Sequence, residues 1–229
     1  MVEASAVVIG ASGGIGGAIA DRIEASGAFS QVHRLSRSGT GFDLESEEAI
    51  ALAAARIAEG SPPTLVFVAT GVLHEGQEPE RSYRTLGAEH MLRDYRINTL
   101  GPALVAKHFL PLMPKDQRAV FAALSARVGS IGDNRLGGWH SYRASKAALN
   151  MVLKNLSIEM ARTHPLAVIA GLHPGTVATD LSAPFQKGVA PGKLFDAAYS
   201  AERLLAVLDG LSPKDSGGVF AWDGARIAE

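Results

Sequence analysis

The chain has 229 residues, 47% of them hydrophobic, and a formal net charge of −1. That is enough for one well-buried core, and it leaves no broad electrostatic field to recruit nucleic acid or an anionic membrane. Cysteine is absent, which excludes disulfides, thiolate catalysis and cysteine-based zinc or iron–sulfur sites and suits a reducing compartment. The opening MVEASAVVIG carries an acid at Glu3 and runs directly into a β-like stretch, unlike a signal peptide. The longest apolar runs, 65–69 and 166–172, are too short to cross a bilayer. The expectation is a soluble cytoplasmic protein.

In chain order, β-rich runs at 6–10, 31–36, 64–70, 119–125, 166–172 and 218–223 alternate with segments whose apolar residues recur every three or four positions, at 15–26, 45–59, 88–113, 142–162 and 199–209. Repeated strand–helix–strand units, with strands apolar almost throughout, predict a parallel sheet covered on both faces. The fold class is α/β, a single doubly wound Rossmann-type domain spanning 1–229. No internal repeat or linker divides it. The stretch 182–198, with two prolines and two glycines, predicts a loop or small lid (about 181–198) near the carboxyl ends of the later strands.

The first predicted strand runs into GASGGIGG, Gly10 to Gly17, and a helix follows. Glycines allow a tight turn and a close ligand approach, and a helix amino terminus offers unpaired N–H groups and a positive dipole end to a phosphate. A strand-to-helix turn can also be glycine-rich for packing alone, but the flanking elements favour a pyrophosphate. The same letters satisfy G-x-S-x-G at Gly10, Ser12 and Gly14. A serine-hydrolase reading would require an upstream strand framework that nine residues cannot supply.

The end of the second strand, HRLSRSG, separates the two nicotinamide dinucleotides. NAD binding wants a carboxylate here for the ribose 2′-hydroxyl, whereas a 2′-phosphate repels an acid and needs arginine. Ser36 stands where the acid belongs, Arg37 follows, and residues 31–38 contain no acid. NADP(H) is preferred over NAD(H), the bland alternative being a solvated surface arginine.

Tyr142 and Lys146 are four apart on a predicted helix, hence on one face. A tyrosine hydroxyl is a poor proton donor or acceptor at neutral pH. An ammonium at roughly 5 Å, in an effective dielectric near 20, would favour the phenolate by about 3 kcal/mol, some two pKa units. Alone, the pair is equally an exposed polar turn.

The pair has company: Gly10-xxx-Gly14-Ile15-Gly16, Asp43 after the second strand, ATG at 69–71, Asn98, Ser125, Tyr142-xxx-Lys146 and PGTVAT at 174–179. In order and approximate spacing these resemble the short-chain dehydrogenase/reductase family over nearly the whole chain. LSARVGSIGDNRLGGWHSYRASKAALN, HPGTVATD and FAWDG look most like its C-factor and sniffer-like carbonyl reductase branch. The resemblance implies that Gly10, Ser12, Gly14 and Ile15 form the dinucleotide phosphate turn, that Asp43 and Leu44 hold adenine, and that Ala69 and Gly71 lie under the adenosine ribose. Tyr142 would be the general acid in carbonyl reduction, Lys146 its pKa-lowering partner and a ligand of the nicotinamide ribose. Asn98 would bend its helix and hold the water of a proton relay. Pro174, Gly175, Val177 and Thr179 would clasp the nicotinamide. Members commonly pair through the helices at 88–113 and 142–162, implying a homodimer or homotetramer.

Two positions depart from the family pattern. Arg143 follows the tyrosine where a small residue is usual, and on a helix it points elsewhere. The active-site serine commonly stands three residues before a glycine, which relative to Gly129 is Ala126. Ser125 and Ser130 are the candidates left, with Ser125 favoured because it closes the β-run. The seven histidines form no ligand pair of the HExxH kind, so no metal site is expected. Trp139, His140 and His173 are candidates for the substrate or nicotinamide surroundings, and Trp222-Asp223-Gly224 for closing the sheet.

The function implied is an NADP-dependent oxidoreductase acting on a carbonyl or secondary alcohol, its partner a small molecule. The rival is a C-factor-like signalling protein that binds the dinucleotide with little turnover. A sugar epimerase or dehydratase would need a longer carboxyl-terminal region than the fifty or so residues after PGTVAT.

Overall fold

The computed structural model describes residues 3–74 and 78–229. Among the described residues, six parallel strands form the central sheet: β1 (Ser5–Ile9), β2 (Gln31–Leu35), β3 (Pro63–Val68), β4 (Ala119–Leu124), β5 (Ala167–His173) and β8 (Val219–Ala221), in the spatial order β2-β1-β3-β4-β5-β8. Side chains alternate across it, as strand geometry requires. Val7, Ile9, Val66, Val68, Phe121 and Ile169 face one layer, formed by α3 (Glu47–Ile57), α5 (Gly101–Phe109) and α6 (His140–Met160). Ala6, Val8, Phe67, Ala122 and Val168 face the other, where α1 (Gly14–Ser26) and α7 (Ala197–Gly210) supply Ile19, Ile23, Leu204 and Leu208. This is the doubly wound α/β arrangement expected. Because β1 has β2 on one side and β3 on the other, strand order reverses there and opens a crevice beyond the strands' carboxyl ends.

Three elements differ from the sequence reading. The segment 88–113, expected as one helix, is α4 (Ala88–Tyr95), a π-helical turn at Arg96–Leu100, α5 and a 3-10 turn at Leu110–Leu112. Pro102 has no N–H to offer the Asn98 carbonyl four residues earlier, and Gly101 N donates to Arg96 O instead, one residue longer than the α pattern. The serine after β2 caps a single helical turn, α2 (Arg37–Thr40), its Oγ accepting from Gly39 N at 3.0 Å. The segment expected as loop carries 3-10 structure at Ala183–Gly188, and β7 (Leu194–Phe195) pairs in parallel with β6 (Thr176–Val177). Phe195 then packs on Trp222, centroids 4.6 Å apart, pinning the segment against the end of β8.

Candidate active site

Two adjoining cavities lie over the carboxyl ends of β1, β3 and β4, sharing Gly13, Ala69, Thr70 and Gly71. One, of about 410 Å³, is lined by Gly10, Ser12, Ser36, Arg37, Asp43, Leu44 and Arg93, among others. The second, of about 320 Å³, is lined by Gly14, Ile15, Leu73, His74, Ser125, Tyr142, Lys146, Pro174, Thr179 and Asp180, among others.

The glycine turn joins them. Gly10 adopts φ +85°, and its N–H donates to Leu35 O at 2.8 Å. A Cβ on Gly16 would lie 2.2 Å from Gly10 O, so here the packing role of glycine is real. It coexists with a feature suited to an anion: Gly13, the N-cap of α1, offers no side-chain cap, and the first turn holds no acid. The dipole end of that helix therefore faces the trough uncompensated.

Tyr142 and Lys146 are both buried on α6, at 8% and 3% exposure. Lys146 Nζ donates to Leu124 O at 2.8 Å and stands 5.8 Å from the centre of the Tyr142 ring. Burial pulls the lysine down to about 8, against a raising influence from Asp94. The tyrosine corrects the expectation: burial first, and the charge of Asp94 second, push its hydroxyl above the ordinary value. The ammonium is engaged by a carbonyl and lies against the ring, so in the protein alone desolvation outweighs it.

The two serines separate cleanly. Ser125 lines the smaller cavity, and its Oγ donates to Asn150 Oδ1 at 2.6 Å, one further helical step along the Tyr142–Lys146 face. Ser130 lies on neither cavity wall; its Oγ accepts from Asp133 N at 3.0 Å and closes a turn. Ala126, at the usual serine position, joins Leu73 and Tyr142 in a small apolar cluster with Val128, Trp139 and Phe185.

Asn98 is fully buried inside the π-turn. Its Oδ1 accepts from Val72 N at 2.9 Å, while Nδ2 donates to Val72 O at 3.0 Å and Ser145 Oγ at 3.1 Å. It thus ties the loop after β3 to α6 rather than lining a cavity. Its Oδ1 would be 3.4 Å, and Lys146 Nζ 3.5 Å, from a Cβ on Gly71, so both groups close in beneath that glycine.

Gly175 and Val177 also lie off both walls. Gly175, at φ +78°, sits where a Cβ would be 2.7 Å from the Phe195 ring, and Val177 is buried in β6. They shape the turn that presents Pro174 and Thr179. His173 is not on either wall; burial, with the charge of Arg127, pulls it down to about 4. Trp139 contacts Tyr142 and Phe185, with centroids at 6.3 and 4.9 Å.

Sequence reasoning passed over Leu73, His74 and Phe185. His74 Nε2 lies 3.0 Å from Asp180 O and its ring meets Phe185 edge-on, joining the β3 loop to the segment after β6 across the smaller cavity. Nothing in a lone histidine after ATG signals that contact. Among the described residues no group of three or more His, Asp or Glu side chains could hold a metal ion, and no helix is long and apolar enough to cross a membrane.

Residues 4–190 match the short chain dehydrogenase family. The chain belongs to that family. Among curated relatives of this short-chain dehydrogenase is the 1-hydroxy-2-glutathionyl-2-methyl-3-butene dehydrogenase of a Rhodococcus species, 34% identical over 82% of this chain and 78% of the relative. The C-signal protein of Myxococcus xanthus is 36% identical over 60% of this chain and 77% of the relative. Among solved structures, the NADPH-bound carbonyl reductase from chicken fatty liver superposes with a TM-score of 0.83 at 25% identity, covering 100% of this chain and 96% of that one. The Drosophila melanogaster carbonyl reductase Sniffer shares the fold, with a TM-score of 0.80 at 21% identity over the whole of both chains. The family read from the sequence is borne out, with C-signal among its relatives, and the protein is an oxidoreductase of the short-chain type.

Proposed function

We propose that the protein transfers hydride between NADP(H) and a carbonyl or secondary-alcohol substrate, with Tyr142 as general acid and base. The observation that carries this reading is convergence: Ser125, Tyr142 and Lys146 share a cavity with the glycine turn and with Pro174 and Thr179. The uncapped start of α1 and the adjoining trough fit a dinucleotide, with Gly10, Ser12, Gly14 and Ile15 at its phosphates, Asp43 and Leu44 at the adenine, and Arg37 at a 2′-phosphate. When bound, NADPH supplies the hydride.

The protein's own groups manage the proton. Tyr142 O–H protonates the oxygen of the carbonyl as its carbon is reduced, and Ser125 donates to the same oxygen. Lys146 holds positive charge beside the tyrosine and opposes the cost of a phenolate left behind. Asn98 fixes the loop and helix that bracket this pair. Leu73 lines the cavity beside Tyr142 and is backed by the apolar cluster of Ala126, Val128, Trp139 and Phe185, suiting a carbonyl compound with an apolar substituent. Two copies are proposed to pair through α4, α5, the π-helical turn between them and α6, whose surfaces expose Leu92, Leu100, Met151 and Ile158.

The test is consumption of NADPH with a panel of apolar ketones and aldehydes. The similarity to C-signal favours a second reading, in which cofactor occupancy itself is the signal. Saturable NADPH binding with no turnover on any carbonyl or alcohol supports that reading and contradicts the first.

A further inference from the structure

A second polar cluster packs against α6 from α4 and the segment before it, and none of its members lines either cavity: Glu80, His90, Asp94 and Ser141. All are buried, at 3%, 6%, 1% and 0% exposure. Trp139, which precedes α6, provides no side-chain cap and sits at φ +49°. Glu80 does the capping from a distance: Oε2 accepts from Ser141 N at 3.2 Å, Oε1 accepts from Ser141 Oγ, and its carbonyl accepts from Trp139 N at 2.5 Å. From Glu80 a polar chain runs along α4. His90 Nδ1 lies 3.5 Å from Glu80 Oε1, and His90 Nε2 lies 3.8 Å from Asp94 Oδ1. Among the described residues, neither carboxylate oxygen of Asp94, both buried, has a hydrogen-bond partner. One turn further on, Asn98 donates to Ser145 Oγ, which donates to Tyr142 O.

A buried carboxylate with no hydrogen bonds is costly, and a fold that keeps one places its field somewhere. Asp94 is buried on α4, which packs against α6, where Tyr142 and Lys146 are also buried; His90 and Arg93 on its own helix and Glu80 from the preceding segment complete the charged groups around it. We propose that Asp94 is a positioning residue for Tyr142 and Lys146: its buried negative charge, held at the end of the Glu80–His90–Asp94 chain, keeps Lys146 an ammonium and Tyr142 a hydroxyl, and so sets the alkaline limit of carbonyl reduction. The link to activity rests on the oxidoreductase reading above; the electrostatic coupling itself does not.

Both effects have one sign, since a nearby anion favours a cation and disfavours a second anion. Burial raises Asp94 to about 6, with His90 opposing and Glu80 reinforcing, so it is ionised at neutral pH. Burial also raises Glu80, but hydrogen bonds from Ser141 and the charge of His90 outweigh it and leave that acid below its ordinary value. The cluster is therefore anionic where the pair works.

The test is Asp94→Asn in the full chain, which is expected to fold because it removes an unpaired buried charge. Two readouts are taken: the pH profile of NADPH-dependent reduction, and the titration of Lys146 followed by NMR with carbon-13 at lysine Cε. Both are expected to move to lower pH, by about one unit, and Asp94→Glu is expected to restore them. A uniform loss of rate with both titrations unmoved overturns the proposal and leaves Asp94 a structural acid. A moved Lys146 titration in a protein that reduces no carbonyl supports the coupling while sinking the oxidoreductase reading. If Asp94→Asn does not fold, the wild-type Asp94 carboxyl resonance serves: a second step at the Lys146 titration supports the coupling, and a single-step curve overturns it.

Discussion

Lys146 Nζ donates to the carbonyl oxygen of Leu124 at 2.8 Å, tying the middle of α6 to the last residue of β4. The bond fixes the ammonium beside Tyr142 but leaves it buried, and burial lowers the amine from 10.5 to about 8. The folded chain therefore binds fewer protons than the unfolded one between those values, so this residue's contribution to stability rises with pH through that window and its penalty is complete below about 8. Relative to Lys146→Met, the wild type should gain about 3 kcal/mol from pH 8 to 10.5. Denaturant melts of the two proteins across that range check it. Carbonyl reduction by Lys146→Met should fall by roughly 10²–10⁴ even where that protein is the more stable.

Ser125→Ala and Ser130→Ala should behave differently. Loss of the Ser125 hydroxyl removes a donor from the reacting oxygen and should lower kcat roughly a hundredfold. Loss of the Ser130 hydroxyl leaves Asp133 N without its acceptor, costing about 1 kcal/mol of stability with kcat unchanged. Steady-state kinetics with thermal melts on both variants decides the matter, and the reverse pattern would return the role to Ser130.

Arg37 lines the larger cavity at the start of α2, next to Ser36 where an NAD site would carry an acid. Arg37→Ala should raise the Kd for NADPH by roughly tenfold to a hundredfold, the value of a charge-assisted pair, and leave NADH binding almost unchanged. Fluorescence titration with both cofactors measures this directly.

Asn98→Ala strips partners from both the N–H and the C=O of Val72. Two buried backbone groups left unsatisfied should cost about 2–5 kcal/mol. Asn98→Asp retains an acceptor for Val72 N but turns a carboxylate toward Val72 O, and should be little better. Urea unfolding of both variants tests whether this side chain is the brace that the geometry shows.

Much of this was legible in the sequence because it depends on local rules. Short apolar runs marked the strands, because most of them are buried on both faces of a covered sheet, and helical spacing marked α1 and α6 to within two residues. Tyr142 and Lys146 share a helical face by spacing alone. What escaped depends on contacts between distant segments. Only packing shows that Ser130 closes a turn while Ser125 reaches a cavity wall. The desolvation that raises Tyr142 cannot be read from a spacing that predicts a lysine nearby. The family resemblance anticipates a bend at Asn98, but the apolar pattern of 88–113 is helical throughout and does not show that the bend is a π-helical turn. The Glu80–His90–Asp94 chain joins a loop to a helix, with no motif to announce it.

In the proposed reaction Tyr142 supplies the proton that accompanies hydride transfer. That role is tested by single-turnover oxidation of bound NADPH by an apolar ketone, comparing wild type with Tyr142→Phe at equal cofactor occupancy. NADPH affinity should be unchanged and the hydride-transfer rate lower by roughly 10²–10⁴ in the variant. Equal rates in the two proteins would contradict it.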